Sequence, residues 1–296
     1  MMIAKIIDLE VQMAKNHSYM PTECKELCKS LTSVSDRYST WQVFEDWLAM
    51  SAIAISNAVD LIQKDEREKQ YLEIVKKYNS QELTKIAECL GLLVGQLDKE
   101  YKTSGITDLL GKVFHALNLH NEYHGQFFTP FHICECMGRM TFDGSEPSVE
   151  TTLKEQNYIS ILEPCVGSGG LVLGFAKAMQ EEKHNPQQEL CVTAIDIDIK
   201  CVHMAYLQLS LFGIPAVVVH GNSLTEEQWS VWRTPAYILG FWEYKVKRHN
   251  SIKTEPTEAM KTKKETVSED NSETNNVPPK FDIEYPVNRN GQMSLF

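Results

Sequence analysis

No run of this sequence is apolar for long enough to cross a bilayer, which excludes a membrane-spanning helix as its organising element. The opening residues, MMIAKIIDLEVQMAK, break their apolar character with acids and lysines, so they read as an amphipathic helix and not as a secretory leader. A cytoplasmic protein with no membrane partner is the expectation. Basic residues are outnumbered, 29 Lys and Arg against 40 Asp and Glu, and the net charge of -11 excludes an extended basic coat for nucleic acid. A cleft on an acidic protein can still be locally positive. Metal-site spacing is lacking as well: Cys134 and Cys136 have no second pair to complete a zinc site, and Cys24 and Cys28 lie one helical turn apart, as core pairs do. The eight cysteines therefore read as reduced packing residues, with no metal.

What the chain does contain is 296 residues that change period partway along. Residues 1–120 look helical. Trp41, Phe44, Trp47 and Leu48 share one face of a segment running from Trp41 to Ile62, and Leu83, Ile86, Leu90 and Leu93 share another from Gln81 to Leu97. Further helices are expected over about 66–78 and 106–117. After Tyr158 the pattern becomes strand-like. YISILEP, CVTAIDID and AVVVHG are short apolar runs separated by a glycine loop and by helical segments, the beginning of a doubly wound α/β domain over 121–242. YILGFW at 237–242 is expected as a fourth strand. Residues 243–279 are polar enough to predict a disordered linker, and 280–296 form a separate C-terminal peptide.

The loop EPCVGSGG, Glu163 to Gly170, follows a strand and precedes a helix, so its glycines let a ligand approach the main-chain N–H groups. It lacks the G-x-G-x-x-G spacing of dinucleotide sites and the GKS or GKT ending of a Walker A loop. The second strand ends in Asp196 and Asp198. An acid there can accept both hydroxyls of a ribose, and Asp196 is the better placed, with Asp198 read as a helix N-cap or a secondary contact. Asn222, at the end of the third strand, either hydrogen-bonds an adenine edge or caps the next helix.

Taken together, GQFFTP at 125–130, LEPCVGSGGLVLGFA at 162–176, AIDID at 194–198 and HGNSL at 220–224 resemble the modification subunit of type I restriction systems and its N6-adenine DNA methylase relatives. The resemblance implies a helical N-terminal domain followed by a truncated Rossmann-like methyltransferase domain that binds S-adenosylmethionine. It implies that Phe128, Thr129 and Pro130 pack over the methionine end of the cofactor, and that Glu163 stands at an acidic position beside the glycine loop. Cys165, Gly167 and Gly169 then line the turn, Asp196 takes the ribose, and Asn222 stands where the family more often has Asp. Double-stranded DNA is the implied substrate, with a specificity subunit or second methyltransferase subunit as partner.

One part of the family's pattern is missing. The exocyclic amine of adenine shares its lone pair with the ring, so these enzymes orient it with an Asn/Asp-Pro-Pro-aromatic segment whose aromatic stacks on a flipped base. The nearest string here is TPAY, and Thr234, Pro235 and Tyr237 are the candidate catalytic residues. The apolar strand that should precede it is replaced by EEQWSVWR. Two functions are compatible with this pattern: a site-specific adenine methyltransferase of restriction-modification type, or a noncatalytic cofactor- or DNA-binding subunit of such a complex. The terminal QMSLF, Gln292 to Phe296, also resembles the peptide by which bacterial DNA-processing proteins dock on the replication sliding clamp. The alternative is that Leu295 and Phe296 pack on the protein itself or on a partner subunit.

Overall fold

Helix boundaries in the first half of the chain follow from caps. In a computed structural model describing residues 21–119, 128–145 and 147–254, with side chains to residue 248, the first helices are α1 (Lys25–Thr32) and α2 (Thr40–Asn57). The Ser39 side chain accepts the Gln42 N–H to start α2, and Phe44, Trp47 and Leu48 are buried on the face expected of them. The helix stops at Asn57, short of Ile62, which is exposed in the following turn. After α3 (Lys64–Val75), α4 (Ser80–Ser104) opens with a reciprocal capping box between Asn79 and Glu82 and runs beyond Leu97 until Gly105 turns the chain at φ 79°. Its core face is Ile86, Cys89, Leu93 and Leu97, with Leu83 and Leu90 only partly buried beside it. Asp108 then caps α5 (Leu109–Ala116).

The second half begins with α6 (Phe131–Asp143) and α7 (Val149–Gln156) and continues as alternating strands and helices. These are β1 (Ile159–Glu163), α8 (Gly170–Glu181), the short α9 (Pro186–Glu189), β2 (Leu190–Asp196), α10 (Ile199–Leu211) and β3 (Ala216–Asn222). The three strands are parallel neighbours in chain order, so their carboxyl ends lie along one edge of the sheet. A fourth strand, β4 (Glu227–Arg233), pairs antiparallel with β3.

Strand residues alternate strictly between the two faces. Ile159, Ile161, Val192, Ala194, Ala216, Val218 and Trp232 join the large core that also contains Phe44, Trp47 and Leu93 of the helical region. Leu162, Cys191, Ile195, Val217, Val219 and Val231 face the other way, onto Tyr237 and Trp242. Helical region and sheet therefore share one continuous core, with α2 packed on α10. Arg67 of α3 ties them further. It ion-pairs with Asp60 at 3.1 Å, donates to the Ser56 hydroxyl and to the Val231 carbonyl (2.7 Å), and lies 4.1 Å from the Trp232 ring.

Two sequence expectations need correction here. Residues 237–242 are not a strand: α11 (Pro235–Leu239) runs into them, because Thr234 caps it and Pro235 fits its first turn. The fourth strand is instead the polar EEQWSVWR stretch. Only Val231 and Trp232 within it are buried, one on each face, as an edge strand permits. The polar linker also does not begin at 243. A helix, α12 (Trp242–Thr254), occupies that stretch, anchored by Trp242 edge-on to Tyr158 at 5.5 Å and by Val246. Residues 255–296, including the rest of the linker and Gln292–Phe296, lie outside the described residues, as do 146, 120–127 and 1–20, the last containing the amphipathic segment MMIAKIIDLEVQMAK. No described helix is long and apolar enough to cross a membrane.

Candidate functional site

At the carboxyl edge of the sheet, β1 ends on Glu163, β2 on Asp196 and β3 on Asn222. The chain leaving β1 folds back over β2: the Val166 N–H donates to the Ile195 carbonyl at 2.9 Å, and the Gly169 N–H closes a turn onto the Val166 carbonyl at 2.8 Å. Gly167 and Gly169 have φ of 55° and 98°, which side-chain-bearing residues rarely adopt. A Cβ on Gly167 would stand 3.1 Å from the Phe128 ring, so this loop is also thin where an aromatic lies on it.

Asp196 organises the loop directly. Its Oδ2 accepts the Gly167 N–H at 2.8 Å and its Oδ1 accepts the Asp198 N–H at 2.9 Å. The Ile197 N–H and the Cys201 thiol also hydrogen-bond this carboxylate, so it is held from several sides. Burial pushes the Asp196 carboxyl above its ordinary range, against the pull of these backbone N–H groups. Glu163 is raised for the same first reason, opposed by the Cys165 N–H that it accepts at 3.0 Å and reinforced by Asp196 nearby. Asp198 is committed elsewhere. It caps α10 through the Lys200 N–H and pairs with the Lys200 ammonium, which in turn sits over the Trp41 ring. Asn222 closes the turn after β3 by accepting the Leu224 and Thr225 N–H groups. It caps a turn, since no helix follows.

Phe128 is held by Phe114 of α5, with ring centroids 4.6 Å apart, which brings the 128–130 segment and the glycine loop together. Thr129 and Pro130 are exposed beside it. The Pro130 carbonyl starts α6, and the Thr129 carbonyl accepts from the Cys134 thiol. The fixed point below them is a crossing of α6 on α8 at Gly138 and Gly174, where a Cβ on either would come within 2.4 Å of the other helix's backbone. Phe128, Glu163, Cys165, Gly167, Gly169, Asp196 and Asn222 thus gather at one edge.

Thr234, Pro235 and Tyr237 do not. The Thr234 hydroxyl accepts the Ala216 N–H and donates to the Ile214 carbonyl, both at 2.9 Å, at the start of β3. Asn222 stands at the other end of that strand, roughly 20 Å away at the rise of a β-strand. Pro235 occupies the first turn of α11, and Tyr237, 8% exposed, packs into the second core with its hydroxyl pushed up by burial. TPAY is therefore a strand-to-helix connection whose Thr234 hydroxyl is consumed by the backbone, at the end of β3 remote from the glycine loop.

Other residues at the site carry no sequence signal of their own. Ile197 and Leu224, exposed to 61% and 93%, follow the ends of β2 and β3 and flank the edge with apolar surface. The His220 ring lies edge-on to Trp229 at 4.8 Å. Asp108, Ser168 and Gln208 form a buried polar group beneath the glycine loop. Asp108 announces itself in the sequence only as a helix cap, before the apolar run LLGKVF.

Comparison with known proteins gives one family. The model described as N-6 DNA Methylase matches residues 107–282. No curated protein matches the chain significantly. Among solved structures, a Listeria monocytogenes protein described as a class I S-adenosylmethionine-dependent methyltransferase superposes with a TM-score of 0.37 at 13% identity, over 68% of this chain and 54% of the other. The chain thus spans about half the length of that protein.

Proposed function

Because the chain belongs to the N-6 DNA methylase family, we propose that it presents S-adenosylmethionine, the cofactor that membership implies, for methyl transfer to the exocyclic amine of adenine in double-stranded DNA, in a restriction-modification setting. The observation that carries this reading is the hydrogen bond from the Gly167 N–H to Asp196. It joins a left-handed glycine turn, closely approached by Phe128 at Gly167, to a buried acid at the carboxyl end of β2. Those features fit the cofactor. Asp196 would take the ribose hydroxyls, Ile197 and Leu224 would lie against the faces of its adenine, and Phe128 would cover the methionine end above Gly167. When bound, the cofactor supplies a methyl group activated on a sulfonium.

The acceptor end of the reaction needs groups that orient a weakly nucleophilic amine and stack on an extruded base. Thr234 and Tyr237 are buried at the opposite end of β3, so that task would fall to other residues of the chain or to a partner subunit. The same burial favours a second reading, a cofactor-holding subunit that does not itself transfer methyl groups.

Incubating the purified chain with methyl-labelled S-adenosylmethionine and mixed-sequence duplex DNA separates the two. Label recovered as N6-methyladenine supports the enzyme. Cofactor binding without incorporation supports the noncatalytic subunit. Absence of cofactor binding would overturn both.

A further inference from the structure

Building on the reading of the glycine loop as the cofactor site, we propose that Asp108 is a positioning residue that sets this loop from the helical half of the molecule, acting through Ser168 and Gln208. Asp108 is 3% exposed and precedes α5. Its Oδ1 accepts the Gly111 N–H and the Gln208 side-chain N–H, each at 2.8 Å, while Oδ2 accepts the Ser168 hydroxyl at 2.6 Å. Gln208 of α10 is fully buried. Its Nε2 also donates to the Ser168 carbonyl at 2.8 Å, and its Oε1 accepts the Leu110 N–H at 3.1 Å.

A helix cap needs only the bond to Gly111. The remaining bonds converge on Ser168, held by both side chain and main chain, and Ser168 is the residue between the two left-handed glycines. A turn with glycine on either side has many alternative conformations, and ordering it upon binding weakens affinity unless it is ordered beforehand. Tying Ser168 to Asp108 removes those alternatives before the cofactor arrives. The Asp108 carboxylate also lies beneath the first residue of α8, 3.3 Å from where a Cβ on Gly170 would stand, at the end of that helix which favours negative charge. From there the loop continues to Gly167, whose N–H is held by Asp196.

The test is calorimetric titration of S-adenosylmethionine into the full chain, paired with amide exchange of residues 165–170 in the cofactor-free protein. D108A and S168A should each weaken binding by about tenfold, the scale of a lost hydrogen bond to a charged group. The double variant should bind no more weakly than D108A, because both changes break one link. D108N should stay within about threefold of wild type, since its carboxamide keeps an acceptor for Gly111 and Gln208 and can turn its N–H toward the Ser168 oxygen. Exchange of the loop amides should quicken in D108A and S168A. N79A removes the cap of α4, whose bonds are to the Gln81 and Glu82 N–H groups; it should lower thermal stability and leave binding and loop exchange unchanged.

Wild-type affinity in D108A, additive losses in the double variant, or an equal loss of affinity in N79A would each overturn the positioning role. Failure of the wild type to bind S-adenosylmethionine would instead remove the cofactor reading, and this proposal with it.

Discussion

Single side chains here divide into those whose polar atoms are used up and those with capacity left. Thr234 belongs to the first group, since its hydroxyl serves Ala216, Ile214 and the cap of α11 at once. T234V keeps the shape and removes the hydroxyl, so chemical denaturation should show a loss of about 1–3 kcal/mol, with cofactor affinity unchanged. Y237A should cost about 3–5 kcal/mol as a core truncation, again without touching cofactor binding. A cofactor affinity that fell in either variant would return TPAY to the site. His203 is a residue set by burial alone. It lies edge-on to Trp232, its Nε2 has no hydrogen-bond partner among the described residues, and burial holds it at about 3, well below 6.5, with His220 and Arg67 adding to the effect and Asp198 opposing it. The unfolded chain thus takes up this proton at a higher pH than the folded one. Stability is complete above pH 6.5 and declines as pH falls toward 3, by about 2 kcal/mol at pH 5. Urea titrations at pH 7 and 5 should show this loss in the wild type and a smaller one in H203L.

Among the elements, the crossing of α6 on α8 bears most on the site, because α6 follows directly from Phe128, Thr129 and Pro130. A Cβ on Gly174 would stand 2.3 Å from the Cys134 carbonyl, so G174A must push the helices apart. It should cost about 1–3 kcal/mol or more in denaturant, and cofactor affinity should fall with it as the 128–130 segment moves. Unchanged stability would mean that the crossing is not tight. The βαβ run from Tyr158 to Asn222 was legible in the sequence because its strands are apolar on both faces and its loops are marked by Pro164, Gly167, Gly169 and Gly213. The strand β4 was not. It lies at a sheet edge, buries only Val231 and Trp232, and so shows no apolar run, whereas 237–242 is apolar yet leaves Leu239 and Phe241 exposed in and just after a helix. Thr234-Pro235 carried a helix-start signal that the likeness to a catalytic tetrapeptide obscured. The Asp108 contacts reach residues 60 and 100 positions away, which no local pattern records.

Across the whole molecule, one core joins the helical half to the sheet, and the groups at the carboxyl ends of β1, β2 and β3 are supported from both halves. The family match extends to residue 282, past the described fold, while the residues assigned to the cofactor edge all fall within 108–224. Asp196 is the acid assigned to both the glycine turn and the cofactor ribose. Calorimetry of S-adenosylmethionine binding to the full chain, wild type against D196A, tests this most directly. We predict saturable one-to-one binding by the wild type and a loss of about tenfold or more in D196A, corresponding to roughly 1.5–3 kcal/mol for hydrogen bonds to a charged group. Equal affinity in the two proteins would contradict it.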